Sequence, residues 1–440
     1  MWTYHPDLLA RAVPRYTSYP TAAEFTGSVG MAQQEQALES VRVGTSASLY
    51  VHIPFCREIC WYCGCNTARS NRPQRLAAYL DALADEVETV AARLKGRANV
   101  RHIAFGGGSP NAVSPVDFVR LLDRLFVNFA AGDARISVEL DPRGFNDEWA
   151  LALGKSGVSH VSLGVQTFNA EVQRRIGRVQ PAALIEQTVD SLCKHGVSSI
   201  NFDLMYGLPG QDIAMLDDTL DRTVILGPER IALFGYAHVP HLLPRQRRID
   251  AADLPDQKQR FDMAEHGHGK LIDAGYRAVG FDHFALPGDG LAQAALGGRL
   301  RRNFQGFTED ESDILIGFGA SAISVFPGLL VQNEKNSGRY RMLTSTRGLA
   351  GARGAVRTAE DCSRGRIIET LLCGGQADLD SLNGSSRYLD RLAPFLDRGL
   401  ACLQDGLLGI TPRGLPYART IAALFDSYRE EGQGRFSTAI

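Results

Sequence analysis

With 440 residues, 44% of them hydrophobic and 22% charged, the chain has the composition of an ordinary globular protein, long enough for a large core and a smaller second unit. A net charge of −2 argues against bulk nucleic-acid binding, so no nucleic-acid partner is expected. Met1-Trp2-Thr3-Tyr4 opens no basic-then-apolar leader and no run of about eighteen apolar residues follows, so neither secretion nor a membrane span is expected and the cytoplasm is the default compartment.

Residues 1–40 read as an arm punctuated by Pro6, Pro14 and Pro20, with a short helical run from Met31 to Val41. Its segment Arg15-Tyr16-Thr17-Ser18-Tyr19-Pro20 is either an extended strap lying across the main domain or a lid that touches substrate. From Ser48 the chain settles into β-rich segments at Ser48–Ile53, Val100–Phe105, Arg135–Leu140, His160–Val165, Ser199–Tyr206 and Arg230–Ala237. Between the first two, Leu76, Leu80, Leu83, Val87, Val90 and Leu94 step by four and three, which is one face of a helix with Pro73 near its start and Gly96 past its end. Helices at Pro115–Phe129, Pro181–His195 and Asp212–Leu226 fill the later gaps. Six β-then-α units in series imply a parallel sheet with right-handed crossovers, open or closed as a barrel. No G-x-G-x-x-G follows the first strand, which weakens a dinucleotide-binding alternative.

Residues 240–345 are less regular, with a helix at Gln257–Ala274 and then Phe281-Asp282-His283-Phe284, Arg302-Asn303-Phe304-Gln305-Gly306 and Ile314–Val325. The catalytic unit is placed at 41–345. A small helical, winged-helix-like unit is placed at 355–440, from helices at Arg364–Cys373 and Tyr388–Arg398, a hairpin at Cys402–Thr411 and a helix at Arg413–Tyr428. Its near-neutral charge favours packing over DNA binding.

In such barrels the chemistry sits at the C-terminal ends of the strands. The first strand runs straight into Cys56, Cys60 and Cys63, and the second ends in Gly106-Gly107-Gly108-Ser109. The third carries Glu139 and Asp141 at its tip, the fourth reaches Gln166, the fifth contains Asp203, and the sixth ends Phe234-Gly235-Tyr236-Ala237-His238. The C-x3-C-x2-C spacing wraps three thiolates around one corner of a metal site. Thiolates select zinc, Cu(I) or iron–sulfur clusters. Zinc would need a fourth ligand, with His52 or Cys65 conscripted, whereas a [4Fe–4S] cluster on three thiolates leaves one iron open. The histidines at 52, 238, 241 and 283 read as satisfied core residues.

The cysteine loop with an aromatic before its third cysteine resembles that of the radical S-adenosylmethionine (SAM) enzymes. The fuller text from Tyr50 to Cys63-Gly64-Cys65-Asn66, with the Arg15–Pro20 motif, resembles the oxygen-independent coproporphyrinogen III oxidases of haem synthesis over nearly the whole chain. The resemblance implies an α/β fold, a partial (β/α)6 barrel, with a [4Fe–4S] cluster on Cys56, Cys60 and Cys63 but not Cys65. It implies two SAM molecules. Tyr50, Glu139 and Ile323 match contacts to the first, with Gly107, Gly108 and Ser109 against its amino end and Tyr62 as an aromatic wall for an adenine. Gln166, Arg178, Asp203 and Ala237 match contacts to the second, and Phe304 and Gln305 border the active site. A porphyrinogen substrate and an electron donor such as flavodoxin or ferredoxin are implied, with a monomer as the working form. A tetracarboxylate substrate wants cations, for which Arg15, Arg301 and Arg302 are candidates. Related alternatives are a haem chaperone and a haem-opening enzyme; an unrelated one is a zinc-stabilised regulator.

Overall fold

The computed structural model describes residues 1–70, 72–382 and 388–429. The expected unit at 355–440 therefore extends beyond the described residues. The arm carries α1 (Pro6–Leu9) and α2 (Met31–Glu39). The chain then builds β1 (Thr45–Ile53), the short pair β2 (Phe55–Cys56) and β3 (Ala68–Arg69), α3 (Pro73–Leu94), β4 (Ala98–Gly107), α4 (Pro115–Phe129), β5 (Arg135–Leu140), α5 (Asp147–Lys155) and β6 (Val158–Gln166). After these come α6 (Ala170–Arg175), α7 (Ala182–Lys194), β7 (Ser199–Tyr206), α8 (Ile213–Leu226) and β8 (Arg230–Gly235).

The six expected strands lie side by side and parallel in the order β1, β4, β5, β6, β7, β8. The irregular stretch after residue 240 extends this sheet at both ends. Following α9 (Gln257–Asp273), β9 (Arg277–Val279) and β10 (His283–Ala285) add antiparallel beyond β8. After α10 (Gly290–Leu296) and the hairpin β11 (Arg301–Asn303) and β12 (Gly306–Thr308), β13 (Ile314–Phe318) returns to lie parallel to β1 on its free side. Antiparallel β14 (Ile323–Phe326), β15 (Leu329–Asn333) and, after α11 (Ser337–Arg347), β16 (Gly351–Val356) complete twelve strands. The sheet is open, not a closed barrel. At the β16 edge the arm bonds to it, Thr26 and Gly354 exchanging both backbone hydrogen bonds at 2.8 and 2.9 Å, which covers part of an otherwise unpaired edge.

Helix α3 shows how the pattern becomes packing. Leu83, Val87, Val90 and Leu94 are buried against the sheet, each contributing about 1.5–3 kcal/mol over its exposed state. Glu86 falls on the same face and is fully buried. It accepts from the Gly319 amide at 2.8 Å, Asn333 Nδ2 at 2.7 Å and the Tyr340 hydroxyl at 2.6 Å. One carboxylate thereby ties α3 to the segments on either side of β14 and to α11. Burial pushes its pKa up to about 7 against those three bonds.

The C-terminal segment contains α12 (Ala359–Gly374), β17 (Gln376–Asp378), α13 (Leu389–Leu396) and the hairpin β18 (Ala401–Gln404) and β19 (Leu407–Ile410). The single helix expected at Arg413–Tyr428 is instead broken into 3-10 turns around α14 (Ala418–Ala422). Pro412, Gly414 and Pro416 crowd its first turns, and proline removes the amide that a helix interior needs.

Candidate active site

Parallel strands covered on both faces read as continuous apolar runs, and these do not. On β5, β6 and β7 the residues facing the helices are buried, whereas Ser137, Glu139, Ser162, Gly164, Asn201 and Asp203 on the other face keep accessible surface. That face is concave and polar, and the cysteine loop stands at its C-terminal rim.

The loop is pinned at its roots by backbone. Gly108 and Ser109 amides donate to the carbonyls of Ile53 and Phe55 at 2.9 and 2.8 Å, and Ala68 and Ser70 close the far side onto Pro54 and Cys56. A Cβ on Gly108 would lie 2.5 Å from the Phe55 carbonyl oxygen, and one on Gly107, whose φ is +113°, would lie 2.7 Å from the His52 ring. The glycines are thus required first by the packing of the loop against β4. A ligand here would meet their backbone.

Each of the three thiols has a hydrogen-bond partner. Cys56 Sγ lies 3.1 Å from Thr67 Oγ1. Buried Cys60 accepts from Arg143 Nη2 at 3.2 Å and Arg178 Nη1 at 3.3 Å. Cys63 accepts from the Cys65 amide at 3.4 Å, and Cys65 itself is exposed. Two guanidinium groups thus hold one sulfur in place at the edge of the loop. Among the described residues no three His, Cys, Asp or Glu side chains converge closely enough to hold a single ion. A cluster spreads its thiolates over separate irons, so three soft donors on one short loop suit it. Cys193, Cys362, Cys373 and Cys402 lie elsewhere in the chain.

Arg178, matched by the family resemblance to a second SAM, has carboxylate and carbonyl partners within the chain. It bonds both oxygens of Asp141, at 3.2 and 3.3 Å, and the Gly164 carbonyl at 2.6 Å. Against its burial, Arg178 and Arg143 hold the Asp141 carboxyl below the usual range. Tyr62 packs with Trp61 against Val172, Ile176 and Leu208, and its carbonyl accepts from Gln246. Gln246 also donates to the Ala237 carbonyl at 3.0 Å, which sets Ala237 beside the loop. Gln166 ends β6 in the left-handed region, φ +66°, its amide facing Gly164.

The remote residues reach the same face. Phe304 and Gln305 form the two-residue turn of the β11–β12 hairpin. Phe304 meets the ring of Tyr50 edge-on at 4.4 Å, and the Gln305 side chain lies near the Glu139 carboxyl. Gly317, the register partner of Tyr50, lies against the main chain of Ile323, where a Cβ would meet backbone at 2.7 Å. Tyr50 bonds His52 Nδ1 at 3.2 Å, and His52 Nε2 lies 3.2 Å from the Asn66 carbonyl. Burial pushes His52 down to about 4, so it is a neutral ring with both nitrogens engaged. Burial first, and then the charge of Asp203, pushes Glu139 up to about 7, against the Gly107 amide and Gln305. Asp203, raised by burial, accepts from Ser162 at 3.0 Å and Asn201 at 2.9 Å.

Three arginines that sequence reasoning weighed as substrate cations divide here. Arg301 is paired with Glu369 at 3.0 Å. Arg15 donates to the Gly235 carbonyl at 3.0 Å, and Arg302 donates to the Arg15 carbonyl at 3.1 Å. Sequence reasoning missed Arg419 of α14, which joins them with its guanidinium over the Phe281 ring at 5.5 Å.

Residues 50–223 match the model of the radical SAM superfamily. An oxygen-independent coproporphyrinogen III oxidase of Bradyrhizobium diazoefficiens is 40% identical over 97% of both chains, and that of Escherichia coli is 37% identical over 94% of this chain and 93% of its own. A solved structure of coproporphyrinogen III oxidase from Escherichia coli, described as a radical SAM enzyme, superposes with a TM-score of 0.90 at 36% identity, covering 97% of this chain and 99% of that one. No helix among the described residues is long and apolar enough to cross a membrane. By sequence along its whole length and by fold, the chain belongs to the oxygen-independent coproporphyrinogen III oxidases of the radical SAM superfamily.

Proposed function

We propose that the protein converts two propionate side chains of coproporphyrinogen III to vinyl groups, giving protoporphyrinogen IX, as a step of haem synthesis in the cytoplasm. The observation that carries this reading is the meeting of Tyr50–Phe304 and Glu139–Gln305 with the cysteine loop at one polar face, in a chain 40% identical to a relative of that name. An unactivated C–H bond beside a carboxylate lies beyond protein acids and bases, so a cofactor must supply the radical. Cys56, Cys60 and Cys63 would hold a [4Fe–4S] cluster, which with SAM and an electron from a donor such as flavodoxin or ferredoxin would supply the radical chemistry that removes a hydrogen atom from the propionate β-carbon. Loss of CO2 from the substrate, with one further electron passed to a one-electron acceptor, would then leave the alkene.

The chain's own residues bind and orient. The Cys60 sulfur is held by Arg143 and Arg178, and the Cys65 amide steadies Cys63. Glu139, on the concave face, is an acceptor for ribose hydroxyls, its orientation set by Gly107 and Gln305. Tyr50, Phe304 and Ile323 wall the nucleoside and exclude water from the radical. Gln166, Asp203 and Ala237 offer an amide, a carboxylate and a backbone edge to a second SAM, with Arg178 as the positive charge beside it. The arm, bonded to Asp426 through Tyr16 and to Gly235 through Arg15, acts as a lid over this face. Anaerobic incubation of the cluster-loaded monomer with coproporphyrinogen III, SAM and reductant is the test. A product lighter by two formic-acid equivalents is expected, with two SAM molecules bound per chain at saturation. Unchanged substrate from cluster-loaded protein contradicts the reading.

A further inference from the structure

Beside the ends of β7 and β8 is a cavity of about 50 Å3, walled by Trp2, Arg15, Tyr206, Phe281, Asp282 and Arg419. That volume admits a carboxylate and a water, not a macrocycle. Its charge is lopsided. Among the described residues Arg419 makes no hydrogen bond or ion pair, and its guanidinium rests on the Phe281 ring. Arg302 lies on the other contacts of the same ring, 4.9 Å from its centroid and 4.3 Å from that of Phe307, and its Nη1 is buried with no partner. Arg15 bonds only a carbonyl oxygen and stacks over Phe234 at 5.2 Å. Arg260, bonded through Nη2 to the Tyr236 carbonyl, likewise leaves Nε buried and unpartnered. Among the described residues of the lining the one carboxylate, Asp282, is hydrogen-bonded to His283 at 2.6 Å, so its single charge is shared among His283, Arg302, Arg15 and Arg419 and cannot answer all three arginines.

Unpaired buried charge is costly, and natural cores avoid it. Burial and the neighbouring Arg15 push Arg419 down to about 10, and burial lowers Arg302 and Arg260 as well. Arg15, Arg302, Arg260 and Arg419 come from four separate regions, the arm, the β11–β12 hairpin, α9 and α14. Aromatic rings hold the guanidinium planes while leaving their N–H edges free, and a planar edge suits a carboxylate.

We propose that Arg419, with Arg15 and Arg302, forms an anchoring subsite for one propionate carboxylate of a tetrapyrrole, the macrocycle lying outside the cavity toward Tyr50 and Glu139. The subsite rests on the function proposed above, and it makes the C-terminal segment part of substrate binding rather than a packing cap. Arg301, neutralised by Glu369, takes no part.

The test is a fluorescence titration of cluster-free protein with coproporphyrin III, the oxidised tetracarboxylate porphyrin, together with melting temperatures. Arg419→Met and Arg302→Met are each expected to weaken binding about tenfold or more, and Arg419→Met to melt no lower than wild type, because among the described residues Arg419 makes no hydrogen bond or ion pair. Arg301→Met is expected to bind like wild type. Wild-type affinity in a folded Arg419→Met protein, a lowered melting temperature that marks the guanidinium as structural, or no binding by wild type would each overturn the subsite. Product formation by wild type is read separately, so an active enzyme with unaffected variants removes this inference and leaves the function standing.

Discussion

Two groups of arginines, one beside the cysteine loop and one beside the ends of β7 and β8, differ in their surroundings. Arg143 and Arg178, beside the cysteine loop, are matched by Asp141, Glu58, the Cys60 sulfur and the Gly164 carbonyl. Among the described residues Arg15, Arg302 and Arg419, beside the ends of β7 and β8, have carbonyls and aromatic rings and only the one carboxylate of Asp282 to share between them. The first group is complete within the chain and serves to position a loop. The second is incomplete, and incompleteness in a buried site points to what binds there. A guanidinium therefore reveals its role less by being buried than by whether its charge is answered.

The sharpest break in that comparison is at the loop itself. Cys56→Ala, Cys60→Ala and Cys63→Ala are each expected to abolish the cluster after anaerobic reconstitution, whereas Cys65→Ala keeps its iron and sulfide. Iron loss in the Cys65 variant would place a fourth thiolate in the site and close the open iron. Next in size is Arg178→Met, which strips a buried partner from Asp141 and Cys60. Denaturant unfolding should show a loss on the order of 3 kcal/mol, against no loss for Arg419→Met. Equal losses at the two positions would erase the distinction between the groups.

How much of this was legible in the chain varies by element, for physical reasons. The parallel strands and their helices announce themselves through local period, and α3 ends within one residue of where its apolar stripe stops. The run Ile314-Leu315-Ile316-Gly317-Phe318 is equally apolar, yet its place beside β1 depends on a pairing across more than two hundred and fifty residues that no local pattern records. The cysteine loop was readable because its chemistry is local. Phe304, Gln305 and Ile323 carry no such signal, and only the family resemblance pointed to them. Arg419 sits in Tyr417-Ala418-Arg419-Thr420-Ile421, which reads as any helix edge, and nothing local records that it lies over Phe281 in the cavity wall. Glu86 could have been found: it shares the face of Leu83, Val87 and Val90, and a carboxylate in an apolar stripe signals a buried network.

That network sharpens the comparison from the acidic side, since Glu86 is a buried charge whose bonds are all present. Its folded pKa of about 7 lies above the ordinary 4.5, so the folded state holds an extra proton between those values and stability falls as pH rises through that window. Glu86→Gln removes this dependence. Its stability relative to wild type should rise by up to about 3 kcal/mol from the acid end of the window to neutrality, read by unfolding at matched pH values. A parallel pH profile for the two proteins would show Glu86 ionised throughout. The smallest effect is Gln305→Ala, which leaves the cluster in place and raises the barrier to vinyl formation by about 1–3 kcal/mol. Single-turnover yield at constant iron content measures it, and an unchanged yield removes Gln305 from the site.

The account turns on a hydrogen atom leaving the β-carbon of a propionate held on this face. Coproporphyrinogen III carrying deuterium at the propionate β-carbons, turned over anaerobically with SAM and reductant, tests that step most directly. Mass spectrometry of the 5′-deoxyadenosine should find one deuterium in each molecule formed alongside a vinyl group. Vinyl product accompanied by unlabelled 5′-deoxyadenosine would contradict it.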